Sequence, residues 1–148
     1  MTAIDTREGS VGPAEMAIDG KPPVYHVLLA TDLSESSGRA TEKAITLAAC
    51  QNAVLLILAV ARTYRDRERV ERGVELLRRR ARSSGVVATS MVWHGDPADA
   101  IVEATWTERP DVLVVGARQH RWMARLLGSV SSKVAGEAPC RVEVVAAA

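Results

Sequence analysis

The chain contains little of several residue types that mark specialised classes of protein. It has no phenylalanine, and aromatic residues make up only 3% of the sequence. Its two cysteines, Cys50 and Cys140, have neither metal-ligand spacing nor a Cys-x-x-Cys pairing, which excludes a disulfide scaffold. Both lie in apolar stretches, so we expect them to be reduced, buried packing residues in a reducing compartment.

Long apolar runs and a strong net charge are also missing. The longest apolar run, Ala53 to Ala61, has nine residues, whereas a membrane-spanning helix needs about 20. The formal net charge of +1 argues against a surface for nucleic acid or membrane. Residues 1–20 carry four carboxylates and no apolar core segment, so we expect no secretory signal there and a cytoplasmic location.

The composition that remains is typical of one globular domain preceded by a tail. Of the 148 residues, 47% are apolar and 25% are charged. Residues 1–23 hold half of the prolines and show no sustained period of 2 or 3.6, which predicts a flexible N-terminal extension. Residues 24–148 form the predicted folded domain.

From Val24 onward, strand patterns alternate with amphipathic helix patterns. Apolar runs predict strands over residues 25–31, 54–61, 86–93 and 111–116, with a last strand over 141–145. Helices are predicted from a serine cap (Ser34, Ser36 or Ser37) to about residue 49, over 65–82, from Asp96-Pro97 to Pro110, and over about 128–136. This alternation predicts an α/β fold, a doubly wound, Rossmann-like parallel sheet of five strands with helices on both faces.

Two strand ends carry residues suited to ligand binding. The first strand ends at Thr31-Asp32, and the fourth ends at Gly116. Ligands of open parallel sheets bind beyond the carboxyl ends of strands, where the strand order reverses. If the two strands are neighbours, Asp32 and the backbone after Gly116 share one crevice. There Asp32 either accepts hydrogen bonds from a ribose hydroxyl or an adenine amine, or it caps the following helix.

The segment after the fourth strand supplies candidates for binding an anion. Gly128-Ser129-Val130-Ser131 opens the predicted fourth helix, where free amides and hydroxyls suit a phosphate. The preceding loop has no acidic residue, so its cations either hold phosphates or simply face solvent, and its tryptophan either stacks on a base or packs as a lid. These loop residues are Arg118, Arg121, Arg125 and Trp122.

The second helix and the last strand each present a surface. Residues 65–82 contain eight arginines against four acidic residues, which predicts either an exposed face of ion pairs or a surface for an acidic partner. In the last strand, Arg141 to Val144 alternates polar with apolar residues, as in an edge strand with one wet face. An unprotected edge invites pairing with a second chain.

Together these features resemble the universal stress protein domain. The likeness runs from about Val24 to Ala147 and is carried by these motifs: Asp32; His94-Gly95-Asp96-Pro97-Ala98; Val114-Val115-Gly116; Leu126-Leu127-Gly128-Ser129-Val130-Ser131; and Ala138-Pro139-Cys140-Arg141-Val142. The resemblance implies the strand order 3-2-1-4-5 and a homodimer through the fifth strand. In a subgroup it also implies a crevice for ATP or a related adenine nucleotide, with Mg²⁺ accompanying it. Carried over residue by residue, it implies binding residues at Thr31, Asp32, Gly116, Gly128, Ser129, Val130 and Ser131. The cationic loop adds Arg118 as a candidate that holds phosphate in place of lost amide contacts.

The chain departs from the nucleotide-binding pattern of that subgroup. The pattern is Gly, two residues, Gly, nine residues, Gly, then Ser or Thr. Here Gln119 replaces the second glycine, only eight residues separate it from Gly128, and Leu33 follows Asp32 where binding relatives usually have glycine. A glutamine side chain obstructs amides that wrap a phosphate and disfavours positive φ. Two functions therefore stay open: a regulatory protein that binds an adenine nucleotide, and a dimeric interaction protein that no longer binds one.

An enzyme is not predicted. Residues 31–36 contain no Ser-Gly-Gly phosphate loop, and the sequence shows neither a Ser-His-Asp arrangement nor a pair of catalytic carboxylates. His26, His94 and His120 are far apart and lack ligand motifs, so no metal-binding residues are assigned.

Overall fold

The computed structural model describes residues 24–117 and 133–146, in which five parallel strands follow the order β3-β2-β1-β4-β5. The strands are β1 (His26–Thr31), β2 (Val54–Ala61), β3 (Val87–His94), β4 (Val112–Ala117) and β5 (Arg141–Ala146). The helices are α1 (Gly38–Gln51), α2 (Arg67–Ser83) and α3 (Pro97–Glu108), with 3₁₀ turns at Glu35–Ser37 and Tyr64–Asp66, and residues 133–137 are also helical. The predicted fold class and strand order are confirmed. The predicted N-terminal extension and the start of the fourth helix lie outside the described residues.

β1 occupies the centre of the sheet and is paired on both sides. Thr31 lies opposite Ala59 of β2, and Ala30 lies opposite Val115 of β4. The predicted adjacency of the first and fourth strands is therefore confirmed. Residues in the middle of β1 are completely buried, because helices cover both faces of the sheet.

Side chains of the central strands alternate between two cores, one on each face of the sheet. One core packs against α1 and α2 and contains Val27, Leu29, Leu55, Ile57, Val112 and Val114. The other packs against α3 and the helical segment 133–137, and it contains Leu28, Ala30, Leu56, Leu58, Leu113 and Val115. The three central strands β2, β1 and β4 are buried on both faces of the sheet, which is why their sequences are continuous apolar runs. Within the described ranges, no helix has the length and apolar character needed to cross a membrane.

Helix α3 begins as the sequence predicts, whereas α1 does not. The Asp96 carboxylate accepts a hydrogen bond from the Asp99 amide at 3.1 Å, and Pro97 occupies the first turn. The prediction of a serine side-chain cap for α1 is wrong. Ser37 precedes that helix but makes no capping bond, because its hydroxyl donates to the Ser34 carbonyl at 2.7 Å.

The arginine-rich face of α2 forms many ion pairs. Arg67 pairs with Glu71 at 2.6 Å, one helical turn away. Further pairs join Arg72 to Glu68, Arg78 and Arg79 to Glu75, and Arg80 to Glu42 of α1. This arrangement favours the interpretation of an ion-paired exposed face over that of a surface for an acidic partner.

The two cysteines differ in exposure, although both are free. Cys50 is exposed, so the prediction that both are buried is wrong for this residue. The reason is helix geometry: Ala44, Ile45 and Ala48 turn the other side of α1 toward the sheet. Cys140 is half-buried, and this burial, helped by the charge of Asp111, raises the pKa of its thiol to about 11. It is therefore a protonated, unreactive thiol at neutral pH.

Glu75 is expected to make stability depend on pH in acid. Hydrogen bonds from Arg78, and then from Arg79, lower the pKa of Glu75 from 4.5 to about 2. A carboxyl with a lower pKa in the folded chain than in the unfolded one stabilises the fold above its unfolded pKa. That contribution disappears as the pH falls from about 4.5 to about 2, and it is modest because the group is solvent-exposed.

The test is thermal denaturation followed by circular dichroism across that pH range. On acidification, the Tm of Glu75→Gln should fall less than the Tm of the wild type. Glu103→Gln, at an exposed glutamate of α3, is the matched control and should behave like the wild type. Identical acid profiles for wild type and Glu75→Gln would contradict the assignment.

Candidate functional site

A cavity of 340 Å³ opens at the carboxyl ends of β1 and β2. Its walls come from the turn after β1, the end of β2 and the start of α2: Thr31, Asp32, Leu33, Ala59, Val60, Ala61, Arg62, Asp66, Arg69 and Val70. The sequence predicted a crevice on the β4 side of β1. The cavity shares Thr31 and Asp32 with that crevice but extends to the other side of β1, beneath α2.

The sequence did not lead us to predict that Arg62, Asp66 and Arg69 form a charged wall of a cavity. One signal was available. Arg62 directly follows the buried run that forms β2, just as Asp32 directly follows β1. A charged residue at the carboxyl end of a central strand indicates a candidate ligand contact at both positions. For Asp66 and Arg69, which belong to an ion-paired region of many alternating charges, the sequence gives no such signal.

Asp32 is held at the cavity wall by the turn that follows β1. Its Oδ1 atom accepts hydrogen bonds from the Ser34 amide at 2.9 Å and the Ser34 hydroxyl at 2.6 Å. The carboxylate therefore closes a local turn and does not cap α1. The Ser34 hydroxyl orients Asp32 and is absent from the cavity wall.

The Thr31 hydroxyl stabilises the same turn through hydrogen bonds. Its Oγ1 atom accepts from the Leu33 amide at 3.0 Å and lies 3.2 Å from the Ser37 hydroxyl. Because Ser37 donates to the Ser34 carbonyl, the Thr31 hydroxyl is the donor in its contact with Ser37. Thr31, one of the residues predicted to bind a ligand, lines the cavity, but its hydroxyl already bonds within the turn.

Leu33 adopts a left-handed backbone conformation with φ of 64°. This conformation costs a residue with a Cβ atom roughly 1–2 kcal/mol, and a glycine at this position would avoid the cost. The Leu33 side chain fills the space above Gly73 in the middle of α2, where a Cβ atom on Gly73 would come within 2.6 Å of Leu33 Cδ1. The contact between Leu33 and Gly73 therefore packs the turn after β1 against α2.

Gly116 lies within β4, one residue beyond the pairing of Ala30 with Val115. A Cβ atom built on it would lie 3.7 Å from the Ala40 methyl and 4.0 Å from Ser37 Cα, which is ordinary contact. Packing in the free protein therefore does not require glycine there. Of the other predicted binding residues, Arg118 and the segment 128–131 lie outside the described residues.

The charged groups near the cavity mouth are partly paired. Asp66 accepts from the Arg69 guanidinium at 3.1 Å and from the Thr63 hydroxyl at 3.0 Å, and Arg69 lowers the pKa of this carboxyl. His94 lies outside the wall, against the Tyr64 ring at a centroid distance of 4.9 Å. Among residues 24–117 and 133–146, no group of three or more His, Cys, Asp and Glu side chains is arranged to hold a metal ion.

With the geometry established, comparison with known proteins identifies the family. The sequence profile of the universal stress protein family matches residues 24–146. The chain belongs to this family. It is 32% identical over 132 residues to a universal stress protein of Thermus aquaticus, covering 80% of the chain and 96% of that protein. It is 36% identical over 85 residues to one from Methanothermobacter thermautotrophicus, and that match spans 53% of the chain and 58% of the relative.

Two solved structures of universal stress proteins are similar in fold and sequence. One, in complex with cAMP, is 31% identical with a TM-score of 0.71, and the match covers 84% of this chain and 98% of that one. The other, from Arabidopsis thaliana with AMP bound, is 26% identical with a TM-score of 0.66, covering 84% of this chain and 92% of that one. Adenine nucleotides are therefore ligands of similar members of the family.

The contact between Leu33 and Gly73 predicts a coupling energy between the two positions. In a Leu33→Gly background, Gly73→Ala should raise the free energy of unfolding by about 1 kcal/mol, because alanine favours a helix. In the wild type, Gly73→Ala should raise the free energy of unfolding by at least about 0.5 kcal/mol less than it does in the Leu33→Gly background, because the new methyl displaces Leu33 Cδ1.

Urea denaturation of the four proteins of this double-mutant cycle gives the coupling. Gly136→Ala is the control, since a Cβ atom on this helical glycine meets nothing within 4 Å. It should act equally in both backgrounds. An equal effect of Gly73→Ala in the two backgrounds would show that Leu33 and Gly73 are independent.

Proposed function

We propose that this universal stress protein binds an adenine nucleotide in the crevice over β1 and acts as a non-enzymatic regulatory dimer. The observation that carries the proposal is the position of Asp32. Asp32 lines a 340 Å³ cavity at the carboxyl ends of β1 and β2, and the turn after β1 holds its carboxylate through two hydrogen bonds from Ser34. Related proteins of the same fold contain cAMP and AMP.

In this proposal the ligand spans both sides of β1. Asp32 accepts hydrogen bonds from the ribose hydroxyls or the adenine amine, and Thr31 forms the wall beside it. Gly116 lets the chain approach the ligand, while Arg118 and the Gly128-Ser129-Val130-Ser131 segment supply groups for phosphate. The ligand class is ATP or another adenine nucleotide, with Mg²⁺ accompanying a triphosphate.

A non-enzymatic role fits the use made of the hydroxyls near Asp32. Those of Thr31, Ser34 and Ser37 all take part in the turn, donating or accepting at 2.6–3.2 Å. In the described residues these hydroxyls bond to one another, to the backbone or to Asp32, and His94, which packs on Tyr64, bonds to none of them. The proposed location is the cytoplasm.

A specific observation favours a second candidate function, that of an interaction protein without nucleotide. Leu33 fills space beside Asp32 that a glycine would leave open, and it lines the cavity. Gln119 and the shortened spacing before Gly128 also favour a protein without nucleotide, because they remove features that wrap a phosphate.

β5 supports the proposal of a dimer. It forms one edge of the sheet, and its outer side pairs with no strand of the described residues. Val144 is 45% exposed on this strand, whereas Val142 packs against the core. Glu143 is held by Lys43 at 3.8 Å and Arg141 at 3.7 Å, which leaves the edge with little net charge to oppose pairing.

Asp32→Asn tests nucleotide binding. The amide oxygen of asparagine still accepts from the Ser34 amide, but the second oxygen and the negative charge are lost. AMP affinity measured by calorimetry should fall about 10-fold or more, the typical worth of a hydrogen bond to a charged group. Glu35→Gln, at an exposed residue of the neighbouring 3₁₀ turn that does not line the cavity, is the control and should leave AMP affinity unchanged.

The purified protein provides an independent check, since a denatured extract reveals any nucleotide that copurifies. No nucleotide in that extract, together with no heat on titrating AMP or ATP at millimolar concentration, would reject nucleotide binding and leave the second candidate.

Val144→Lys tests the dimer. A lysine at the centre of the edge strand places like charges together if two β5 strands meet, so sedimentation velocity should show a monomer. Val87→Lys is the matched control, because Val87 is 60% exposed on β3, the opposite edge of the sheet. It should stay dimeric. A monomeric Val87→Lys protein and a dimeric Val144→Lys protein would assign the interface to β3 instead.

A further inference from the structure

β3 is an edge strand without the usual protection against pairing. It forms one side of the sheet, and its outer backbone groups pair with no strand in the part of the chain that the structure describes. All of its residues, Val87–His94, pair one to one with β2, so the strand has no bulge. It contains no Asp, Glu, Lys, Arg or Pro. Natural edge strands are usually short, charged or interrupted by proline, because a long uncharged edge pairs with another strand.

The opposite edge of the sheet differs in both length and charge. β5 has six residues and carries Arg141 and Glu143, whereas β3 has eight residues and no charged side chain. Val87 at the start of β3 is 60% exposed, and Thr89 is exposed on the same face of the strand. The amino-terminal half of β3 therefore presents uncharged side chains beside an open row of backbone groups.

A second copy of the chain fits this edge in a self-complementary register. When a two-fold axis perpendicular to the sheet relates two copies, their edge strands run antiparallel, and residues opposite each other lie on the same face. An axis through Ser90 pairs every residue of β3 except His94. It sets the exposed Val87 opposite the partner subunit's Trp93. A β-branched side chain opposite an aromatic one is a favourable pair across antiparallel strands.

Helix α2 borders the same edge on the other face of the sheet. At its start, Arg67 Nη1 lies 3.5 Å from His94 Nε2, and at its end the Val86 amide donates to the Ala81 carbonyl at 3.1 Å. α2 therefore runs antiparallel beside β3 over the full length of the strand. At about 3.3 Å per residue, Ser90 lies roughly 13 Å before His94, which corresponds to about nine residues of helix after Arg67.

A two-fold axis at this level brings opposite charges together between the two α2 helices. Glu71, Arg78 and Arg82 follow Arg67 at nearly whole numbers of helical turns, so they share its side of α2. In the antiparallel arrangement, Glu71 comes level with the partner subunit's Arg82, and Arg78 comes level with the partner subunit's Glu75. An edge bordered by one sign of charge would repel its own copy, whereas this border alternates in sign.

We propose that the β3 edge binds the β3 edge of a second copy, in an antiparallel continuation of the sheet centred on Ser90. This contact is separate from the proposed dimer through β5, which uses the opposite edge. Because Val87 is the strongly exposed large apolar residue of the strand, the contact buries little apolar surface and forms only at high protein concentration. When both edges pair, each subunit has a neighbour on either side, so the assembly stays open and grows with concentration.

Sedimentation velocity of the full chain, from micromolar to millimolar concentration, tests the contact. The average sedimentation coefficient of the wild type should rise with concentration. Thr89→Lys places a charge on the edge next to the axis, so the rise should disappear. Thr89→Val keeps the edge uncharged and should retain the rise. Thr46→Lys, at an exposed position of α1, is the control for added charge and should behave like the wild type.

A charge exchange tests the register. Glu71→Arg should weaken the association, because two arginines then come level between the α2 helices. Adding Arg82→Glu should restore it, although residues 71 and 82 are roughly 16 Å apart along one helix and cannot pair within a chain. Loss of the ion pair between Arg67 and Glu71 inside the helix would not be restored in this way. Failure of Arg82→Glu to restore association overturns the register.

A wild type that shows no rise, or a Thr89→Lys protein that rises equally, overturns the proposal. Val144→Lys separates this contact from the proposed dimer. If both contacts form, Val144→Lys stops at a dimer at millimolar concentration, whereas the wild type grows beyond it. If only the β5 dimer is wrong, the wild type itself stops at a dimer and Thr89→Lys is a monomer. If only the β3 contact is wrong, the wild type stays a dimer at every concentration. Circular dichroism confirms that each variant is folded.

Discussion

The pairing of β1 with a parallel strand on each side is the constraint on which the rest of the molecule depends. Because β2 and β4 both hydrogen-bond to β1, its side chains are buried on both faces and its end cannot shift. The chain must then leave the sheet at Asp32, between the ends of two neighbouring strands. The hollow at this point lies between the turn after β1, the end of β2 and the start of α2, which packs in the same core as α1.

The turn after β1 converts this constraint into a defined site. A carboxylate at a strand end is useful for binding only if its direction is fixed, and two hydrogen bonds from Ser34 provide that. Leu33 packs over Gly73, so the turn after β1 and α2, which form two walls of the cavity, are in direct contact. Backbone strain at Leu33 and a glycine inside a helix are each unfavourable alone. They occur together because the side chain of one occupies the space left by the other.

The sequence predicted the fold well because its strongest signals are those that decide a fold. Apolar runs placed β1, β2 and β4 to within about one residue, and β3 was placed equally well. Asp96-Pro97 marked a helix start that the Asp96 cap confirms. The failures have local causes. Cys50 was expected in the core because an alanine-rich helix shows little contrast between its faces, and the serines before α1 bond to one another and to the turn instead of capping. The charged wall of the cavity depends on where α2 crosses the sheet, a tertiary feature that no spacing within residues 62–69 reveals.

Two ways of holding a phosphate differ in what they demand of the chain. Backbone amides at a helix start bind without loss of side-chain entropy, but they need glycine wherever the loop must approach the anion. An arginine binds without any special backbone, yet ordering its side chain costs up to about 2 kcal/mol, a factor of roughly 30 in affinity. Gln119 stands where the nucleotide-binding pattern has its second glycine, so the chain meets the geometric requirement less well there, and a phosphate bound beside it would depend more on side-chain donors and carry their entropic cost.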